Sequence, residues 1–314
     1  MGNNSWVFVF PGQGSQKIGM GLDLAALYPT AREIFTQADT LLGYPLSEIA
    51  WHGPEETLNN TAYTQPALFT HSIAGLRVLQ ESLPDLRPQF VAGHSMGQIS
   101  ALVASGSLSF LDGLNLVRLR GHLMQKAGED MPGSMVAVLG LNIPTIEAIC
   151  AEVSTPIEIV QVANDNCPGQ VVISGANAAI DRAIPLLQLA GARRAVRLPV
   201  SIASHSTLMH QAQQGFSTAV DASPLLDPEI TIIGNVTAQP LQTSMEVRQD
   251  LKNQLTYRVR WTESIQYIGA QNAHHYVEIG TGSVLSGLIK RIDQDAQVYT
   301  LGTPDDINKL QSAF

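Results

Sequence analysis

The sequence predicts an α/β protein: a three-layer domain with a parallel sheet, interrupted by a smaller subdomain of βαββαβ order, the ferredoxin-like pattern. Three observations carry this. Short apolar runs at Trp6-Val7-Phe8-Val9-Phe10, Phe90-Val91-Ala92, Ile230-Thr231-Ile232-Ile233 and Tyr276-Val277-Glu278-Ile279 are separated by helical stretches, as expected of strands covered on both faces. Between residues 134 and 198 the order changes to strand, helix, strand, strand, helix, strand, a split βαβ unit complete in itself. The pentapeptide Gly93-His94-Ser95-Met96-Gly97 follows one apolar run and precedes a helix, the setting of a nucleophile elbow. These place the large domain at 1–130 and 199–314 and the inserted subdomain at 131–198.

Taken in order, the first strand ends in Pro11-Gly12-Gln13-Gly14-Ser15-Gln16, a turn at a strand end. A helix over 22–42, a loop over 52–60 and a helix over 64–81 follow, the last with Pro66 early in it, where proline is tolerated. The strand into Ser95 comes next, then a buried helix from Ile99 toward Gly106 and another over 111–125. In the subdomain the predicted strands are 135–139, 157–163, 170–174 and 195–198, with helices over 144–153 and 176–190.

Composition narrows the function classes. The 314 residues carry 14% charged and 45% hydrophobic side chains, which suits a compact enzyme-like globule and not a disordered chain. A formal net charge of −9 argues against nucleic acid as a partner. Cys150 and Cys167 are too few for a disulfide framework, and no Cys-x-x-Cys or His-Glu-x-x-His spacing suggests a metal. The expected setting is the cytoplasm, with no membrane span or secretory leader. The sequons at Asn3, Asn59 and Asn235 read as coincidence.

In an elbow the serine sits on a tight strand-to-helix turn, where glycines let backbone and helix approach without a Cβ between them. A chance match in a glycine-bearing turn is the bland alternative; the strand, turn and helix order weighs against it. A serine needs a base, and of the eight histidines His205 is chosen, in the polar stretch that follows the subdomain. His94 lies inside the elbow, where it suits packing better than catalysis; His274 and His275 read as structural or surface residues. Asp112, Glu147 and Asp165 lie between serine and histidine without a context that marks any as the third member of a triad. Gly12-Gln13-Gly14 and Gly280-Thr281-Gly282 do not complete Gly-x-Gly-x-x-Gly, since Lys17 and Leu285 stand at the sixth positions, so nucleotide binding is not expected.

Seven stretches in order, Phe10-Pro11-Gly12-Gln13-Gly14-Ser15-Gln16, Thr64-Gln65-Pro66-Ala67-Leu68, Gly93-His94-Ser95-Met96-Gly97, Arg120-Gly121-His122-Leu123-Met124-Gln125, Asn166-Cys167-Pro168-Gly169-Gln170-Val171-Val172, Ser204-His205-Ser206-Thr207-Leu208-Met209 and Gln254-Leu255 to Trp261, resemble the malonyl-CoA:acyl carrier protein transacylases. The resemblance implies a hydrolase-like α/β domain with an inserted ferredoxin-like subdomain. It implies Ser95 as nucleophile, His205 as base, and the main-chain carbonyl of Gln254 orienting that histidine in place of a carboxylate. It also implies an oxyanion hole from the backbone N–H groups of Gln13 and Met96, and Arg120 as the residue that reads the malonyl carboxylate, with Asn166 lining the same pocket. A guanidinium suits that task because it binds a carboxylate through two parallel hydrogen bonds. Arg118 is expected to face solvent.

The implied reaction moves a malonyl group from malonyl-CoA to the phosphopantetheine thiol of an acyl carrier protein, in fatty acid or polyketide biosynthesis. Malonyl-CoA is a substrate and no bound cofactor is expected. The rival readings are an acyl hydrolase that clears carrier proteins, a non-catalytic carrier-binding scaffold and, more remotely, a regulatory nucleotide-binding module. Because such carriers are acidic, a basic patch from Arg193, Arg194 and Arg197, or from Arg258 and Arg260, is expected. Three departures from the family pattern stand out: Gln98 where glutamate is frequent, Tyr257-Arg258 where Asn-Pro is common, and Gly280-Thr281-Gly282-Ser283 for Gly-Pro-Gly-Lys.

Overall fold

The computed structural model describes residues 5–314; the sequon at Asn3 lies outside the described residues. Strand β1 (Trp6–Phe10) is buried along its whole length, and its alternation divides two cores. Trp6, Phe8 and Phe10 point into one cluster, and Val7 and Val9 into another with Trp261, Ile265 and Ile289. One strand feeding apolar side chains to opposite faces is what a covered parallel sheet requires.

The helix expected over 22–42 is two helices, α1 (Leu22–Leu27) and α2 (Pro29–Leu42). Tyr28 between them is extended, at φ −111° and ψ 114°, because Pro29 disfavours the helical region for the residue before it and starts a new helix itself. The loop expected over 52–60 is largely helical as well: α3 (Leu46–His52) and α4 (Glu55–Asn59) frame Gly53 and Pro54. Helix α5 (Thr61–Ser82) begins earlier than expected, capped by Asn60 Oδ1 accepting from Ala62 N at 3.0 Å. Then come β2 (Pro88–Gly93), α6 (Gly97–Ala104) and α7 (Phe110–Asp130), whose N-cap is Ser109.

The segment expected to be an insertion forms β3 (Gly133–Leu139), α8 (Ile143–Val153), β4 (Val160–Cys167), β5 (Gln170–Ala176), α9 (Asn177–Leu189) and β6 (Arg194–Arg197). The order matches expectation, but the strand predicted over 157–163 runs from Val160 to Cys167. Its polar half, Asn164-Asp165-Asn166, hid it from an apolar-run criterion. The rest of the chain forms a 3-10 turn at Thr207–Met209, α10 (His210–Ala222), β7 (Thr231–Ile233), β8 (Pro240–Leu241), α11 (Ser244–Gln254), β9 (Val259–Arg260), α12 (Trp261–Ala270), β10 (His275–Ile279), α13 (Val284–Ile292), β11 (Gln297–Leu301) and α14 (Pro304–Ala313).

Two sheets result. The larger has the order β11-β10-β1-β2-β7-β8. All its pairs are parallel except β7 with β8, so the expected parallel sheet carries one antiparallel edge. The smaller has the order β6-β3-β5-β4-β9. Its last strand is a correction to the reading of the subdomain as complete in itself, since β9 lies outside 131–198 and pairs in parallel with β4 through Asn164↔Val259 and Asp165↔Arg260. Thr262 Oγ1 ties the junction by donating to Asp165 Oδ1 at 2.6 Å. Among the described residues no helix is long and apolar enough to cross a membrane.

Candidate active site

The site is built at the carboxyl ends of β1 and β2, where open α/β sheets leave a crevice. Ser95 sits between β2 and α6 at φ +53°, a left-handed conformation that costs a non-glycine residue about 1–3 kcal/mol and persists only where surroundings enforce it. Both flanking glycines are required by contact. A Cβ on Gly93 would stand 2.0 Å from the backbone of Gly97, and one on Gly97 would stand 2.2 Å from Phe10 O. Strand, turn and helix are therefore pressed together with no room for a methyl group, and Ser95 projects from the bend.

Asn235, which sequence reasoning passed over as a sequon, enforces the strained turn. Its Oδ1 accepts from Ser95 N at 2.7 Å and its Nδ2 donates to Gly93 O at 2.7 Å. The clue available in sequence was position alone: Gly234-Asn235 follows a strand, as do the other loops of the crevice.

His205 reaches Ser95 from the loop after the small sheet. Ser95 Oγ donates to His205 Nε2 at 2.8 Å, and His205 Nδ1 donates to the main-chain oxygen of Gln254 at 2.8 Å. A carbonyl oxygen only accepts, which fixes the tautomer and leaves Nε2 free to take a proton. Gln161 braces this loop, donating from Nε2 to His205 O at 3.2 Å and to Thr256 O at 3.1 Å. Burial, and then the nearby charge of Arg120, push His205 down to about 3, so the ring is neutral at ordinary pH.

Arg120 comes from the middle of α7 and is 1% exposed. Its Nη2 donates to Ser95 Oγ at 3.1 Å and to Gln254 Oε1 at 2.9 Å, while Nη1 donates to Gln65 Oε1 at 2.8 Å. These acceptors are all neutral, and Arg120 Nε is buried without an acceptor among the described residues. Burial lowers the guanidinium to about 9. Such a group is a charge waiting for a counter-ion. Arg118 is half-buried against the groove between α7 and the end of α10, instead of facing solvent freely.

The first loop closes the other side. Gly12 lies so close to the elbow that a Cβ would stand 2.6 Å from His94 O, and Gln13 Nε2 donates to Thr61 Oγ1 at 3.0 Å. The backbone N–H groups of Gln13 and Met96 have no acceptor among the described residues, a pair of free donors beside the serine. His94 points away from the reacting atoms: Nε2 pairs with Asn166 Oδ1 at 2.9 Å and the ring stands edge-on to Trp261, with centroids 5.6 Å apart. Asn166 thus meets the elbow through His94. Among the described residues no cluster of three or more His, Cys, Asp or Glu side chains could hold a metal ion.

The acyl transferase domain profile matches residues 7–303, nearly the whole chain. The chain belongs to the acyl transferase domain family. Within that family it is 42% identical over 306 residues to the malonyl CoA-acyl carrier protein transacylase of Haemophilus influenzae, covering 98% of each chain. It is 41% identical over 299 residues to the protein of that name in Escherichia coli K12, covering 95% and 96% of the two chains. Among solved acyl transferases, the malonyl-CoA:acyl carrier protein transacylase of Xanthomonas oryzae superimposes with a TM-score of 0.95 at 43% identity, over 100% of this chain and 99% of that one. A type II PKS acyl-carrier protein in complex with its malonyl-transacylase matches with a TM-score of 0.95 at 38% identity, over 99% and 100%.

Proposed function

We propose that this acyl transferase is a malonyl-CoA:acyl carrier protein S-malonyltransferase working through a malonyl-serine. The observation that carries the reading is a buried guanidinium, without a carboxylate partner among the described residues, 3.1 Å from a serine hydroxyl that is itself bonded to a neutral histidine. Ser95 Oγ attacks the thioester carbonyl of malonyl-CoA and passes its proton to His205 Nε2. The oxyanion is received by the backbone N–H groups of Gln13 and Met96. Collapse breaks the carbon–sulfur bond, and the proton on His205 leaves with the coenzyme A thiolate. The carrier's phosphopantetheine thiol then gives its proton to His205, attacks the ester and releases Ser95. The chain's own groups supply nucleophile, base and oxyanion donors, so no cofactor enters the scheme.

Arg120 supplies the selectivity. A malonyl carboxylate would meet the guanidinium at the unpartnered Nε and a neighbouring Nη, a bidentate pairing in a site from which water is largely withdrawn. Neutralising Arg120 also removes a charge that holds His205 down, so substrate raises the basicity of the group that must take the proton. Hydrolysis of neutral acyl chains has no use for this cation, and a scaffold has no use for the Ser95–His205 bond.

The finer fold reading belongs to the same proposal: a hydrolase-like domain at 1–130 and 199–314, with a ferredoxin-like insertion at 131–198. Its support is the elbow at the end of β2 and the two separate sheets. For carrier docking, Arg193 and Arg194 are exposed and make no salt bridge among the described residues, although Arg197 of the same group is paired with Asp181; Arg258 and Arg260 are both paired, with Glu147 and Glu263. The first group is the better candidate for an acidic carrier. Cytoplasmic placement is supported by two buried, unpaired cysteines.

Intact mass after brief incubation with malonyl-CoA or acetyl-CoA tests the assignment. A malonyl adduct absent from Ser95→Ala is expected, with Arg120→Ala lowering malonyl labelling at least tenfold relative to acetyl labelling. Equal labelling by both thioesters in the unaltered protein would remove Arg120 from its role.

A further inference from the structure

One buried carboxylate near the elbow takes no part in the scheme above. Asp250, in α11, is 2% exposed and accepts from three N–H groups: Gln98 Nε2 at 2.8 Å, Asn235 N at 3.1 Å and Val236 N at 3.1 Å. Room for it is specific. A Cβ on Gly234 would stand 2.6 Å from Asp250 Oδ1, so the glycine opens the space that the carboxylate fills.

We infer that Asp250 is a positioning residue for the acyl-transfer site, acting through Asn235 on the serine and through Gln98 and Gln254 on the histidine and arginine. The inference rests on the assignment of Ser95, His205 and Arg120 and extends it inward. On one branch Asp250 holds the main chain of Asn235, whose side chain holds Ser95 N and Gly93 O. On the other, Gln98 donates to Asp250 and accepts from Gln254 Nε2. Gln254 Nε2 also donates to Ser95 O at 3.0 Å, while its Oε1 faces Arg120 and its main-chain oxygen holds His205.

The polarity of this chain follows from what each group can do. Burial raises Asp250 above the usual carboxylate range, but both its oxygens accept from N–H groups, so Gln98 must turn its NH2 toward Asp250 and its oxygen toward Gln254. Gln254 must then offer its NH2 to Gln98, leaving its oxygen for Arg120, which only donates. Arg120 Nε apart, every donor group in the chain meets an acceptor, all four side chains are buried, and a reversed amide anywhere would set like against like at a cost no water can relieve. Asp250 is the accepting end that makes this one arrangement consistent with the donating end at Arg120.

Exchanging the two groups tests this. In Asp250→Asn/Gln98→Glu the carboxylate and amide trade places, and the bond between positions 98 and 250 survives with its donor reversed; the carboxylate now at position 98 still accepts from Gln254, while the NH2 at position 250 faces Asn235 N, which had bonded the same oxygen as Gln98. Gln98→Glu alone sets two carboxylates in contact, and Asp250→Asn alone turns an NH2 toward either Asn235 N or Val236 N, which bond different oxygens of the carboxylate. The readouts are kcat/KM with malonyl-CoA and the malonyl-over-acetyl ratio of Ser95 labelling, with unfolding midpoints recorded alongside. Each single variant is expected to lose at least tenfold in kcat/KM and in that ratio, and the exchange variant to recover the ratio, which the arm through Gln254 to Arg120 sets, to within about threefold of the unaltered protein, while kcat/KM stays lowered through the Asn235 arm. If Gln98→Glu does not fold, Asp250→Asn and the exchange variant carry the comparison. The inference is overturned if Asp250→Asn matches the unaltered protein in both readouts, or if the exchange variant is no better in that ratio than the poorer single one. Failure of the underlying assignment looks different: Ser95→Ala would then still label.

Discussion

At the scale of single residues the site works by matching donors to acceptors in a place where water cannot correct an error. His205 illustrates the consequence for pH. Its ordinary value near 6.5 is pushed to about 3, by burial first and by the Arg120 charge second, so in its proposed role as base it would stay competent down to far lower pH than a free imidazole. The acid limb of kcat/KM, which reports the free enzyme, is therefore expected well below 6.5, with the profile flat from roughly pH 5.5 to 8. In kcat the limb should move upward, because malonyl bound to Arg120 relieves part of the depression. A shared limb near 6.5 in both would contradict this account. Asn235→Ala should remove the partners of Ser95 N and Gly93 O together, lowering stability by about 2 kcal/mol for the buried groups left unpaired and slowing Ser95 labelling, as chemical denaturation and stopped-flow labelling would show.

At the scale of elements, helices and strands are positioned by close approach. Helix α6 meets β1 and β2 at two glycines, and the contacts at Gly93 and Gly97 are with backbone, which cannot swing aside as a side chain can. Gly97→Ala is expected to cost about 3 kcal/mol or more, read as a lowered unfolding midpoint or loss of soluble protein. Helix α7, which carries Arg120, starts at Ser109, whose Oγ accepts from Asp112 N at 3.1 Å. Ser109→Ala should cost about 1 kcal/mol while leaving malonyl selectivity intact, because Arg120 lies almost three turns further on. A physical signal marks the boundaries at Pro29 and Ser109, yet the helix expected over 22–42 runs through the proline and the one expected over 111–125 begins one residue late. Boundaries were also missed where polar residues such as Asn164-Asp165-Asn166 continued a strand by pairing with β5 and β9, since apolar patterning carries no record of a hydrogen-bond partner elsewhere in the chain.

At the scale of the whole molecule, burial of neutral histidines links stability to pH. His71 on α5 is buried with Nε2 3.2 Å from Gly302 O, and burial lowers it to about 4. Its folded value lies below its unfolded one, so the unfolded chain binds the proton more readily; the contribution is complete above about 6.5 and is lost as pH falls toward 4. His71→Gln should make the urea midpoint fall less between pH 7.5 and 5.5 than it does in the unaltered protein, and an equal fall would count against the linkage. The sequence by itself determined the α/β class, the strand and helix order of the 134–198 segment, and the local form of the elbow, because periodicity, glycine and proline act within a few residues of where they stand; it passed over β8, β9 and β11. Only the tertiary structure decided that β9 completes the small sheet and that α11 delivers Asp250 and Gln254 to an elbow some 150 residues earlier in the chain. The same is true of Gln98, whose departure from the family pattern read as unexplained and whose partner proves to be Asp250. Those relations depend on the direction of hydrogen bonds between residues far apart in sequence, which only the packed chain can set.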